Sequence, residues 1–332
     1  MEPTEIILGL LKKVDRENLM DEIYDSTLTR FQEKNLISLD LGSLELISLP
    51  EDLFDGLDTI EEIYLINNKL TTLPQKIFRQ LNDLKSIDLS DNELEELPDG
   101  IFSNNPNLKV LDLEGNNLTR LPSEIRIMKN LLELDLSSNN FEDLNVDQFE
   151  NMTKLQLLDL DDNQVSNLHD NLFDNLLNLK VLNIYNNRVT EVNHYLFHKL
   201  INLEILSLSK NLIKNLSEDN FKHLKNLTYL GIGGNYLTSL PNNVFDNLSN
   251  LETLSLSYNK IQTLEENVFN NLGNLTRIDL VDNNLTKIPS SIKNLDKLTV
   301  LNLEGNPLPE KLANNFETID QVKGIYGYIK SE

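Results

Sequence analysis

"LKSIDLSDNEL", residues 84–94, places apolar side chains at Leu84, Ile87, Leu89 and Leu94 and an asparagine at Asn92. The Ile87–Asp88–Leu89 alternation is that of a short β-strand, apolar residues facing inward and the residue between them facing out. The Asn92 amide both donates and accepts, so a column of such residues can satisfy buried backbone groups of successive turns. The same pattern, L-x-x-L-x-L-x-x-N-x-L, reads "LKVLDLEGNNL" at 108, "LQLLDLDDNQV" at 155, "LEILSLSKNLI" at 203 and "LETLSLSYNKI" at 251. Its asparagines fall at 68, 92, 116, 139, 163, 187, 211, 235, 259, 283 and 306. The step is 24 residues, shortened to 23 from Asn116 to Asn139 and from Asn283 to Asn306. A copy at 36–46 carries Leu44 in the asparagine place, which suits a first coil stacked on a cap, and makes twelve copies. Repetition at a fixed period predicts coils that each bury a face on the next.

A second column follows ten residues after the asparagine place: Phe54, Phe78, Phe102, Phe149, Phe173, Phe197, Phe221, Phe245 and Phe269. The two 23-residue copies, "LPSEIRIMKN" and "IPSSIKNLDK", carry isoleucine instead. Over residues 36–308 the pattern resembles the leucine-rich repeat family. The 24-residue phenylalanine form is similar to that of receptor ectodomains, and the L-P-x-x-I form to the Ras-associated intracellular type. The tail "GNPLPEKLANNFETIDQVKGIYGYI" resembles the exit from intracellular arrays, including those that precede GTPase modules. The resemblance implies an α/β solenoid, a right-handed superhelix of about twelve coils with a concave parallel β-sheet and a helical cap at each end. The expected division is an N-terminal helical cap over 1–35, the array over 36–308 and a C-terminal capping helix over 309–332. Ile6, Ile7, Leu10, Leu11 and Val14 lie near helical spacing at one end, and Ile319, Val322, Ile325, Tyr326 and Ile329 at the other.

Composition narrows the function classes. Fifty-three acidic against 29 basic residues leave a net charge of −24, which repels phosphate backbones and anionic lipid surfaces. With no cysteine, disulfides, thiol nucleophiles and Cys-ligated metals are excluded for this chain. "MEPTEIILGLLKKV" is too short and wrongly charged for a signal peptide, and no segment approaches a membrane span. The expectation is a cytoplasmic monomer without a cofactor; a secreted effector or an extracellular protein cleaved from its leader is the alternative.

No phosphate-cradling glycine loop, nucleophile elbow or H-E-x-x-H occurs, so no catalytic residue is assigned and an enzyme is not expected. His169, His194, His198 and His223 occupy different places in the repeat and read as surface residues, so no metal site is assigned. Seven N-x-S/T sequons occur, at Asn117, Asn151, Asn215, Asn226, Asn247, Asn274 and Asn284, and most recur because the repeat itself often sets Asn, Leu and Thr in order.

The outward strand positions are free of core duties and carry the functional expectation. Asp88, Asp112, Asp135 and Asp159 succeed one another at roughly 5 Å spacing, thickened by Glu114 and Asp161. They read as a solvated stripe, a patch for a basic partner, or a loose Ca²⁺ site. Beyond them Leu157, Val181, Ile205 and Tyr229 form an apolar row. Beside that row Gly231, Gly233 and Gly234 leave a bare strand, expected to open a hollow rimmed by Tyr185, Tyr229 and Tyr258. Gly233 stands where sibling copies carry Ser209 and Ser257 on the solvent-facing side, so the strand itself is not expected to require glycine there. The predicted function is a non-enzymatic protein-binding module using the concave face, its partner another protein and not nucleic acid or membrane. The alternative is a regulatory or sensor segment of a larger multidomain, GTPase-linked signalling protein.

Overall fold

The first coil rests against an N-terminal helix. In the computed structural model, which describes residues 2–312, α1 spans Pro3–Lys13. Proline occupies its first turn, the Glu2 N–H donates to the Glu5 carboxylate at 3.0 Å, and Lys12 and Lys13 sit at the carbonyl end, where positive charge favours the helix dipole. Ile7, Leu10 and Leu11 are buried. Arg16 then donates to the carbonyls of Leu44 (2.8 Å) and Glu45 (3.2 Å), tying this segment to the copy that lacks the asparagine. A short helix, α2 (Met20–Asp25), follows. Of the C-terminal helix expected over 309–332, a 3₁₀ turn at Glu310–Leu312 is observed; residues 313–332 lie outside the described residues. No helix among the described residues is long and apolar enough to cross a membrane.

The chain divides into two units. The first holds the residues up to Glu142 together with Asp147–Asp159. Its strands are β1 (Arg30–Gln32), β2 (Asn35–Asp40), β3 (Glu62–Tyr64), β4 (Ser86–Asp88), β5 (Val110–Asp112), β6 (Glu133–Asp135) and β7 (Leu157–Asp159). β1 pairs antiparallel with β2, and the rest run parallel in register, so that Asp88 faces Asp112 and Asp112 faces Asp135. The second unit holds Asp143–Val146 and the residues from Leu160 on. It carries β8 (Val181–Asn183), β9 (Ile205–Ser207), β10 (Tyr229–Gly231), β11 (Thr253–Ser255), β12 (Arg277–Asp279) and β13 (Val300–Asn302), again parallel and in register. Each unit is thus a parallel-sheet solenoid of stacked coils.

Two ladders hold the coils. The asparagine column is buried and saturated: the Asn211 amide donates to the carbonyls of Ile184 (2.7 Å) and Leu208 (3.1 Å), and its oxygen accepts the Val189 N–H at 2.9 Å. Across the coil from it the phenylalanines stack nearly parallel, Phe173–Phe197 at 6.4 Å and Phe197–Phe221 at 6.5 Å between centroids. In the shorter coils the chain tightens into 3₁₀ turns, Ser123–Ile127 and Ser290–Asn294, which bring the smaller Ile125 and Ile292 into the core.

A third, exposed ladder has no counterpart in the reading above. Asn202, Asn226, Asn250 and Asn274 each donate to the backbone carbonyl 25 residues earlier, at 2.8–3.0 Å. The hydroxyls of Thr228 and Thr276 do likewise to the carbonyls of Glu204 and Glu252. The sequons at Asn226 and Asn274 therefore use both their asparagine and their threonine to join one coil to the last.

Candidate functional site

The sheet faces of the two units differ in chemistry. On the first, Asp88 and Asp135 are occupied at the strand ends: each accepts the N–H of the residue two further on, Ser90 or Ser137, at 2.9 Å and that serine's hydroxyl at 2.6 Å. This local turn is a use asparagine and aspartate commonly serve, so the aspartate repetition has a backbone cause. Asp112 departs from it. Its neighbour two on is Glu114, which supplies an N–H at 3.0 Å but no hydroxyl. Burial, with Asp88, Asp135 and Glu114 adding repulsion, pushes its carboxyl up to about 7, and burial raises Glu114 as well. One carboxylate oxygen from each of Asp112, Glu114 and Asp135 lies within 4.8 Å of the others. No histidine joins a set of three metal-ligating groups among the described residues; His169 pairs with Asp143 (3.4 Å) and His198 with Asp174 (3.6 Å).

The raised Asp112 carboxyl has a pH consequence. Its folded pKa lies above the ordinary 3.8, so the folded state holds the proton more tightly, and stability falls as pH rises from about 4 through about 7. Asp112→Asn keeps an acceptor for the Glu114 N–H and removes the charge. The expected result is a higher melting temperature, with a larger gain at pH 8 than at pH 5. Equal gains at both pH values would contradict this cause.

On the second unit the outward positions of β8–β11 and the residues just past them are Val181, Asn183 and Tyr185; Ile205, Ser207 and Ser209; Tyr229, Gly231 and Gly233; Thr253, Ser255 and Ser257. None is charged. The apolar row is contiguous in register from Val181 through Ile205 to Tyr229, and Ile205 is 38% exposed. Leu157 belongs to the first unit, on β7, whereas Asp161 belongs to the second and accepts the Asn183 amide at 3.1 Å.

A hollow of about 390 Å³ lies within this face, lined by Tyr185, Tyr229, Tyr258, Gly233, Gly234, Lys210 and the serines 207, 209, 255 and 257. Two glycines line it and a third, Gly231, lies beneath Tyr229, and the three have different causes. A Cβ at Gly231 would lie 2.9 Å from the Tyr229 hydroxyl and 3.1 Å from its ring, so Gly231 is the seat across which the Tyr229 ring lies. Gly233 is buried although its position points outward, a correction to the expectation drawn from Ser209 and Ser257: a Cβ there would meet the Ser257 hydroxyl at 3.0 Å and its carbonyl oxygen at 3.1 Å. The Gly233 N–H donates to the Ser209 hydroxyl at 3.1 Å, a substitute for the aspartate turn that Gly231 cannot supply. Gly234 has φ +64°, and the residue before the asparagine is left-handed in every coil from Asn67 to Gly305. Glycine there answers a backbone demand.

Lys210, not singled out from the sequence, lies with its ammonium 4.9 Å from the centre of the Tyr185 ring, and contact with Tyr185 raises its pKa. Tyr229 is raised by burial. Lys210 (φ 52°) and Tyr258 (φ 53°) hold left-handed positions that other coils fill with Asn, Asp, Gly or Ser, residue types that tolerate that conformation more readily. The legible signal was "SKN" and "SYN" where siblings read "SDN" or "GGN".

The leucine rich repeat family model matches residues 34–94, 82–141, 129–184, 177–237, 225–285 and 261–308. Among solved structures, a leucine-rich repeat protein of Leptospira interrogans is 30% identical, with 83% of this chain and 80% of that one covered and a TM-score of 0.57. A chain of the Drosophila Toll–Spatzle complex is 28% identical over 82% of this chain, with a TM-score of 0.74. A chain of the TLR13–ssRNA13 complex is 30% identical over 80%, with a TM-score of 0.70. This chain spans 38% and 39% of the length of those two. A comparison with curated protein sequences gave no significant match. The family model covers the array from the first coil to the last, and the chain belongs to the leucine-rich repeat family.

Proposed function

We propose that this chain is a non-enzymatic protein-recognition module whose contact surface is the sheet face of β8–β11. One observation carries the reading: in a chain with 82 charged residues (53 acidic, 29 basic), the outward positions of four adjacent strands hold none, and they include two tyrosines and a contiguous apolar row. Interface centres are depleted in charge and enriched in tyrosine, and solvent-facing apolar residues in register have no core duty. Similar chains come from binding complexes, which supports a recognition role. The net charge of −24 sets this chain against phosphate backbones and favours a protein partner over RNA.

The test uses a photo-crosslinking amino acid at Ile205, on the proposed face, or at Leu177, exposed away from these strands. In native lysate the Ile205 probe is expected to give discrete protein adducts that excess unlabelled chain suppresses, and the Leu177 probe is not. Identical adducts from both positions would overturn the assignment.

A further inference from the structure

Within that reading, on which this inference rests, the hollow sets the chemistry of what is bound. At about 390 Å³ it is near the small end of ligand pockets, the size for one side chain and its flanks. The Tyr229 ring lies over Gly231, with Tyr185 and Tyr258 also lining the hollow. Three of the lining serines are engaged within the protein: Ser209 accepts the Gly233 N–H, and the Ser255 and Ser257 hydroxyls lie 3.4 Å apart. The floor therefore offers an entering group rings and little hydrogen bonding. Lys210 alone among the lining residues is charged; Tyr185 is its main partner, and Asp162, two coils earlier, adds a weaker attraction. Its ammonium is held against Tyr185, at a backbone position where lysine serves no conformational need.

We propose that the hollow receives one large apolar side chain from a partner protein segment, and that Lys210 pairs with a carboxylate flanking that side chain. This runs against the field of the whole molecule. A chain of net charge −24 attracts cationic peptides indiscriminately, so an acidic flank is the signature of Lys210 acting locally. Lys210 is exposed at the rim, and a charge so placed steers oppositely charged partners in and rejects like-charged ones.

The probe is a library of random dodecapeptides displayed on phage, selected against the full chain, Lys210→Glu, and Ser255→Phe, each first shown to melt as the parent does. The parent is expected to enrich peptides with a Leu, Met or aromatic residue next to Asp or Glu. Lys210→Glu should keep the apolar residue and change the flank to Lys or Arg. Ser255→Phe, which fills the hollow from β11, should enrich neither. An unchanged flank on Lys210→Glu, a consensus that survives Ser255→Phe, or no enrichment on the parent each overturns the proposal. If crosslinking at Ile205 still captures its adducts in those cases, the recognition surface stands and only the assignment of the hollow fails.

Discussion

Asn211→Ala is expected to lower the stability of the second unit by about 2 kcal/mol or more, because the change leaves the Val189 N–H and the Ile184 carbonyl buried without partners, while the Leu208 carbonyl keeps the Asn235 amide at 3.0 Å, and each orphaned group costs about 1–3 kcal/mol. Against a typical total of roughly 5–15 kcal/mol, that is a large fraction. Asn211→Asp should do worse at neutral pH. It keeps the acceptor for Val189 but turns an anion toward two carbonyl oxygens, and the protein should recover stability as acid protonates it. The control is Asn202→Ala in the exposed ladder. The Leu177 carbonyl it abandons can turn to water, so the expected change is within about 0.5 kcal/mol. Urea unfolding followed by circular dichroism separates these cases. Similar losses at 202 and 211 would mean that burial does not set the value of these bonds.

Phe197→Ala should cost about 3–5 kcal/mol, the range for a large aromatic truncated in a core that relaxes only in part. Phe197 is 1% exposed and has stacked partners on both sides, so the cavity opens against two neighbouring rings. Phe197→Ile should fall between. Isoleucine fills this place in the coils of Ile125 and Ile292, but those coils are one residue shorter and draw inward through 3₁₀ turns. A 24-residue coil has no such contraction and leaves isoleucine short of its neighbours. Hydrogen exchange should show the loss first in the amides of the flanking coils, because repeats couple chiefly to their neighbours. Uniform protection loss across the second unit would show a longer cooperative range.

Much of this architecture is legible residue by residue. Leucine alternation specifies the strands, Asn92 and its counterparts the buried ladder, Phe197 and its counterparts the stack. Ile7, Leu10 and Leu11 mark a helix with a buried face, and that helix is observed over Pro3–Lys13. The hollow was foreseen from its glycines, but their separate causes were not. That Gly231 seats a ring depends on which way the Tyr229 side chain turns, and a period-two pattern carries no rotamer. That Gly233 is buried depends on Ser257 in the next coil, 24 residues away. The left-handed position is visible only once backbone angles are known, since asparagine, aspartate, serine, lysine and tyrosine all occupy it as well. Lys210 gained its place from proximity to Tyr185, and nothing local in "LSLSKN" announces that meeting.

In the N-L-T triplets at Asn226 and Asn274, the signal for a glycan and the rivet between coils are spelled with the same letters. An oligosaccharide on Asn226 would replace one hydrogen of the amide nitrogen that now grips Ile201 and crowd that bond. A secretory host would then be decorating a fastener. At Asn226 and Asn274 the sequon doubles as a stitch from one coil to the last, and production in a host that attaches no N-glycans preserves that stitching.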